Sequence, residues 1–342
     1  MLQIAYIGNG KSTNRYHIPF AKKISDIKIK KVYSRNESIW DKIPDVEYTC
    51  NKEEIYSDSE IELVVITTPP ISHYELAKEA LLNGKNVLVE KPFTETVAQA
   101  KELFELAASK KLMIQCFQNR RFDSDFLTVK KIIDSGILGD LLEIEMHYDY
   151  FRPEVPEEKN TYSKLESFVY THACHTVDQV LSYFGEPTNI HYDVKQILGT
   201  GRMSDYFDID MCYDHQVKVS IKSSYFRLKE RPSFVVYGTK GCFVKATKDR
   251  QEEHLKHFYM PTNADFGIDL PEHYGVLSYI DEEGTYHEEK VVSEVGDYSM
   301  FYQHLYDTLK NNKPHLVAEE ETIKQIEILN TATSRLSSEI KV

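Results

Sequence analysis

The chain has 342 residues, 41% of them hydrophobic and 28% charged, an ordinary balance for a globular protein and room for two domains of roughly 150 residues each. Forty-one Lys and Arg against 54 Asp and Glu leave a formal net charge of −13, which argues against nucleic acid or an anionic membrane as the main partner, since both need a basic footprint. Five scattered cysteines without a CxxC pair suit reduced thiols. No apolar run approaches the ~20 residues of a membrane span, and the amino terminus lacks a signal-peptide pattern. The expected setting is cytoplasmic.

Residues 2–7 read as a buried first strand ending in Gly8-Asn9-Gly10-Lys11-Ser12-Thr13. The spacing matches the first two glycines of a dinucleotide fingerprint, where the backbone turns tightly and approaches a pyrophosphate at a helix amino terminus. Gly8, Asn9, Gly10, Lys11 and Ser12 are therefore candidate cofactor contacts. Thr13 stands where the third glycine would, and a side chain there is expected to loosen strand–helix packing.

A second strand at 27–33 runs into Ser34-Arg35. An NAD-specific site carries a carboxylate here for the ribose hydroxyls, whereas a small hydroxyl beside a guanidinium suits a 2′-phosphate. NADP(H) is the favoured cofactor and NAD(H) the alternative. A third strand is expected at 61–66, ending in Thr67-Thr68-Pro69-Pro70, and a helix at 74–82, closed by Asn83-Gly84.

The next stretch, Asn86-Val87-Leu88-Val89-Glu90-Lys91-Pro92, is the one around which the chain is organised. A parallel strand covered on both faces reads as an apolar run, and ligands bind beyond the carboxyl ends of such strands. A lysine held there on a proline-stiffened turn can act as acid, base or carbonyl polariser. Glu90 either walls the cofactor or supports that lysine. A helix at 94–109 and a strand at 112–117 follow, so strand and helix alternate as in a doubly wound parallel sheet.

Thr67-Thr68-Pro69-Pro70…His73, the Gly84-to-Pro92 block, Gln118-Asn119-Arg120-Arg121-Phe122 and Gly296-Asp297-Tyr298…Phe301-Tyr302 together resemble the signatures of the glucose-fructose oxidoreductase, inositol dehydrogenase and rhizopine-catabolism (Gfo/Idh/MocA) family. The resemblance implies a Rossmann domain (1–120) and a second α+β domain (121–342) built on a mostly antiparallel open sheet, the terminal helix packing back on the first. It implies a homodimer or dimer of dimers through that sheet. It places Lys91 on the catalytic lysine, preceding a peptide bond that is cis in many members, and assigns Thr67, Thr68, Pro69, His73, Glu90 and Lys91 to the cofactor side. Asn119 and Arg120 would face nicotinamide or substrate, although Arg120 and Arg121 read equally well as domain-linking salt bridges.

Beyond 122 the pattern changes to a helix at 126–135 and strands at 141–151, 190–197, 206–213, 217–226 and 234–246, with a terminal helix at 319–336. Between them, residues 168–184 read as a helix on which Thr171, His175 and Asp178 share a face. A histidine there can carry a proton between a substrate hydroxyl and solvent. The stretch resembles the family's D-x-G-x-H-x-x-D motif, with His175 on the catalytic histidine. Thr171 stands in place of the first Asp and Ala173 in place of the Gly, so any relay rests on Lys91 and His175 or recruits another group, for which His172 and Tyr170 are the candidates. Tyr148, Tyr150, Arg152 and Tyr162 are candidates to line the substrate loop, and Lys91, Tyr162, Thr171, His172 and His175 are the candidate substrate contacts. His172 and His175 lack a carboxylate or thiol partner, so no metal site is expected.

The expected function is an NAD(P)-dependent oxidoreductase moving a hydride between nicotinamide and a sugar, inositol or related polyol. Alternatives are a biliverdin- or dihydrodiol-type reductase and a non-catalytic NADP-sensing regulator.

Overall fold

A computed structural model describes residues 1–37, 39–154, 164–197, 199, 204–214 and 217–334. It divides into two compact units: Met1–Asn119 with His254–Ala264 and Tyr298–Glu327, and Arg120–Glu253 with Asp265–Asp297 and the chain from Ile328. Tyr162 lies outside the described residues.

The first unit is a six-stranded parallel sheet of β1 (Leu2–Ile7), β2 (Ile27–Tyr33), β3 (Glu47–Thr49), β4 (Leu63–Ile66), β5 (Asn86–Val89) and β6 (Ile114–Cys116), in the order β3-β2-β1-β4-β5-β6. All four residues of β4 are buried, as are Val87, Leu88 and Val89 of β5, the burial that a parallel sheet covered on both faces requires. The strand order reverses between β1 and β4, so a crevice for ligands opens beyond their carboxyl ends. Gly8 follows β1 and Thr67 follows β4 at that point.

The first-unit helices are α1 (Ile18–Ala21), α2 (Glu53–Tyr56), α3 (His73–Leu82) and α4 (Val97–Lys110). The start of α4 is fixed by a capping box: Thr96 accepts from the Gln99 amide at 3.2 Å, and Gln99 accepts from the Thr96 amide at 3.2 Å. Its buried residues Ala100, Leu103, Phe104 and Ala107 follow the 3–4 spacing of one helical face.

The second unit holds α5 (Ser124–Asp134), α6 (Cys174–Phe184) and the eight strands β7 (Leu141–His147), β8 (Asn189–Lys195), β9 (Tyr206–Cys212), β10 (Lys218–Ser224), β11 (Phe234–Gly238), β12 (Gly241–Lys245), β13 (Gly275–Ile280) and β14 (Tyr286–Val291). Their order is β14-β13-β12-β11-β7-β10-β9-β8. Only β7 and β10 pair in parallel among the described strands; the other pairs are antiparallel. Phe126 and Val129 of α5 and Val177, Val180 and Leu181 of α6 join Ile144, Phe207, Ile209 and Ile221 in one buried core. Later in the chain come α7 (Arg250–Lys256), α8 (Ser299–Asn311) and α9 (Glu319–Ser334).

The expected fold class holds, with local corrections. The single strand expected at 234–246 is the hairpin β11–β12, turned at Thr239-Lys240. The strands β3, β13 and β14 went unread. The strand expected to reach 151 ends at His147.

Candidate functional site

The fingerprint loop is tied across the sheet by Thr13, the residue that stands in the third glycine's place. Gly8 sits at φ +121°, and a Cβ there would come within 2.6 Å of the Thr67 hydroxyl and 2.9 Å of its carbonyl carbon, so only glycine fits. Thr13 is fully buried. Its hydroxyl lies 3.0 Å from the Gly8 carbonyl and 2.7 Å from the Thr67 hydroxyl. It thus braces the loop after β1 against the loop after β4. Asn14 donates to Asn9 at 2.8 Å and to the Gly10 carbonyl at 3.0 Å. Around Gly10 an added Cβ would meet nothing within 4 Å, which leaves the backbone there open to a ligand. The helix after the loop begins as a π turn, Thr13–His17, a geometry frequent at functional sites.

At the end of β2, the Ser34 hydroxyl donates to the Asn36 carbonyl at 2.6 Å, and Arg35 is exposed. Arg15 lies 4.5 Å over the Phe258 ring, which packs on Trp40 at 5.5 Å. Phe258 comes from the returning segment His254–Ala264 of this unit, a contribution that no local pattern announced.

Glu90 is the hub of the lysine turn. Its Oε1 is 3.0 Å from Nε2 of the buried His17 and accepts a short bond from the Ser12 hydroxyl; its Oε2 accepts from the Lys91 amide at 2.9 Å. His17 Nδ1 is 2.7 Å from the Tyr302 hydroxyl, which is 3.1 Å from that of Tyr6. Burial alone would raise the Glu90 carboxyl, but the His17 bond, the charges on His17 and Lys91 and the Ser12 hydroxyl outweigh it and hold the pKa at about 2. Burial raises both tyrosines well above their ordinary value. Lys91 is half-buried, its peptide bond to Pro92 is cis, and its ammonium has no hydrogen-bond or ion-pair partner among the described residues. It is therefore available to a ligand.

His73, expected on the cofactor side, is buried, with Nδ1 2.8 Å from the Pro92 carbonyl and Nε2 2.9 Å from the Thr68 carbonyl. It pins the lysine turn to the loop after β4. Burial lowers its pKa against the opposing pull of those carbonyls.

His175 is buried on α6 in the second unit. The turn before it, Val169–Ala173, is π rather than the α-helix expected from residue 168. The Thr171 hydroxyl bonds to the Ser167 carbonyl and to Nδ1 of His172, both at 2.8 Å. Asp178 accepts a bidentate pair from Arg121 at 2.8 and 2.7 Å. Arg120 is buried and pairs with Asp123 at 3.3 Å and Glu252 at 3.2 Å. These ion pairs of both arginines lie inside the second unit. Asn119 is buried at the start of the 3-10 turn Asn119–Phe122. No group of three or more His, Cys, Asp or Glu among the described residues is arranged to hold a metal ion.

Sequence reasoning missed His17 as the partner of Glu90, and Tyr302 and Tyr6 as the next links of that buried chain. The only local trace was Thr13 and His17, four residues apart on one helix.

A parallel nucleotide-binding sheet with a lysine turn beyond β5, followed by a mostly antiparallel second unit, defines a dinucleotide-dependent oxidoreductase. Residues 2–118 match the model of an oxidoreductase family with an NAD-binding Rossmann fold, and residues 126–244 match the GFO/IDH/MocA C-terminal domain. The chain belongs to the GFO/IDH/MocA oxidoreductase family. It is 40% identical over 341 residues to the uncharacterized oxidoreductase YhhX of Escherichia coli, covering 98% of this chain and 97% of that one. It is 30% identical over 334 residues to the scyllo-inositol 2-dehydrogenase (NADP(+)) IolW of Bacillus subtilis, covering 97% and 92%. The crystal structure of an oxidoreductase from Bacillus cereus superimposes with a TM-score of 0.93 at 40% identity, covering 100% of this chain and 99% of that one.

Proposed function

We propose that this oxidoreductase acts on the CH–OH group of a sugar, inositol or related polyol, with NADP(H) favoured over NAD(H). The observation that carries the reading is Lys91: it stands beyond β5 with an ammonium unengaged among the described residues, on a turn anchored by the ionised Glu90.

The nucleotide would be held by Gly8, Asn9, Gly10, Lys11 and Ser12 on its diphosphate, by Ser34 and Arg35 at the 2′-phosphate, and by Thr67, Thr68 and Pro69 beside it. The glycine-only backbone at Gly8 and the open space at Gly10 fit such a ligand. When bound, the nicotinamide supplies or accepts the hydride. Lys91 holds the substrate oxygen, donating to it as it becomes an alkoxide and so lowering the barrier in either direction. His175 orients the hydroxyl and passes its proton onward. Thr171 has no carboxylate to assist, so His172, bonded to it, is the adjoining proton carrier. Assembly through the second-unit sheet, as family resemblance implies, belongs to the same proposal and is read by sedimentation velocity. The IolW likeness supports the substrate class and the nucleotide.

The test has two stages. Fluorescence titration with NADPH and NADH should give saturable binding of at least one; then a polyol panel led by scyllo-inositol, with NADP+ as oxidant, should yield absorbance at the NADPH band. Failure to bind either nucleotide overturns the reading, and binding without turnover of any polyol or sugar overturns the substrate class.

A further inference from the structure

Beyond β7, residues 148–152 continue as an extended segment alongside 222–227. The Tyr150 amide donates to the Ser224 carbonyl at 3.0 Å, the Arg152 amide to the Tyr225 carbonyl at 2.8 Å and the Arg227 amide to the Tyr150 carbonyl at 3.0 Å. Alternation along an extended chain puts Tyr148, Tyr150 and Arg152 on one side. The Tyr148 and Tyr150 rings are 6.1 Å apart, and Tyr150 meets the His172 ring at 5.1 Å. The aromatic wall thus abuts the helical segment that carries His172 and His175.

Sugars stack on tyrosine faces, yet these rings are engaged by cations. Arg152 lies 4.4 Å over Tyr150 and 5.6 Å over Tyr225, and Lys248 lies 4.8 Å over Tyr150 and 5.0 Å over Tyr148. The cations differ in their counter-ions. Lys248 pairs with Glu230 at 3.0 Å and donates to the Asp149 carbonyl at 2.7 Å. Arg120, 4.9 Å over Tyr148, is neutralised by Asp123 and Glu252. Arg152 is exposed, and among the described residues no carboxylate lies within ion-pair distance of its guanidinium. In a chain of net charge −13, an arginine packed on two rings with no counter-ion among the described residues stands out. Thr171, bonded to the Ser167 carbonyl and His172, brings no negative charge to the helical segment that Tyr150 meets.

We propose that Arg152 recognises an anionic group on the substrate, so that the preferred substrates are sugars or polyols bearing a carboxylate or a phosphate. This rests on the polyol reading and narrows it. A guanidinium stacked on rings, with one bond spent on the Tyr225 side chain, still presents the rest of its planar fork to such a group. Holding the fork in advance limits the rotamer entropy lost on binding. Lysine at the same place would keep the charge and lose the fork.

The experiment is ligand-observed saturation-transfer NMR on the full chain with NADPH present, using glucose, glucuronate and glucose 6-phosphate as matched probes. The first two differ only in a carboxylate, and the third places phosphate on the same carbon. Glucuronate or glucose 6-phosphate should bind at least tenfold more tightly than glucose, and whichever does so names the anion. Arg152→Ala should abolish that preference while NADPH affinity stays within threefold, and Arg152→Lys should restore part of it. Equal binding of glucose and both anionic probes, a preference that survives Arg152→Ala, or binding and turnover confined to neutral polyols would each overturn the inference while sparing the polyol reading. Loss of NADPH binding by the unaltered protein would bring down both.

Discussion

Nε2 of His17 stands 3.0 Å from Oε1 of Glu90, a pairing of two buried side chains 73 residues apart that fixes the turn bearing Lys91. The carboxyl is held at about 2, against an ordinary value of 4.5. A depressed carboxyl contributes its stability above the unfolded value and loses it as pH falls through the folded one. Unfolding free energy should therefore drop by on the order of 3 kcal/mol between about pH 4.5 and pH 2 from this group. In Glu90→Gln that component is absent, so denaturant titrations at stepped pH should give a flatter acid limb. An acid limb identical to that of the unaltered protein would refute the assignment.

Removal of the Lys91 ammonium should strike chemistry rather than binding. Lys91→Ala is expected to lower kcat by ~100-fold or more with NADPH dissociation constants within about threefold, because the fingerprint loop is braced by Thr13 and Thr67 and not by Lys91. Steady-state rates on any substrate found in the polyol panel, alongside fluorescence titration, measure both quantities. An unaltered kcat would remove Lys91 from the reaction.

Arg35 is exposed beyond β2, where its charge can serve a 2′-phosphate. Arg35→Ala should weaken NADPH by about 1.5–3 kcal/mol, the range of a charge-assisted bond, and leave NADH nearly unchanged. Equal weakening of both nucleotides would show that the side chain does not read the phosphate.

Asp249 carries the opposite sign. Burial, and then the charge on Asp125, push its carboxyl up to about 7, against the bonds donated by Gln251 and the Ser124 amide. A raised carboxyl contributes stability below the unfolded value, near 3.8, and loses it as pH rises through about 7. The protein should melt at a lower temperature at pH 8 than at pH 5, and Asp249→Asn should narrow that gap. A gap that persists unaltered in the variant would assign it elsewhere.

The parts of this molecule legible in the sequence are those whose physics is local. The run Val87-Leu88-Val89 ending in Glu90-Lys91 declares a parallel strand and its functional end, because burial on both faces leaves no room for polar alternation. Helix α3 announced its own end through Asn83-Gly84, and Gly84 takes φ +74°. The bracing role of Thr13 went unread because its partner, Thr67, is 54 residues away, and a hydrogen bond across a sheet leaves no trace in spacing. The π turns at Thr13–His17 and Val169–Ala173 add a residue to a turn without altering the apolar pattern, so a purely α-helical reading passed over both. The β11–β12 hairpin did leave a trace. Gly238 and Gly241 flank its turn, and a Cβ on either would press to 2.2 or 2.4 Å of a neighbouring carbonyl oxygen. An unbroken apolar reading of 234–246 passed over both.

The nucleotide-binding unit is not contiguous. Its core includes Tyr298 against Phe20 at 5.3 Å and Phe301 against Phe117 at 4.8 Å, and Tyr302 completes the buried chain from Tyr6 to Glu90. On the ribosome the first six strands emerge long before those aromatics do, so the half-made sheet must wait with an unfilled hydrophobic seam while the second unit is synthesised. Such a pause exposes apolar surface to chaperones or to aggregation. A fragment cut at residue 120 should accordingly be poorly behaved, for want of a piece supplied almost two hundred residues later.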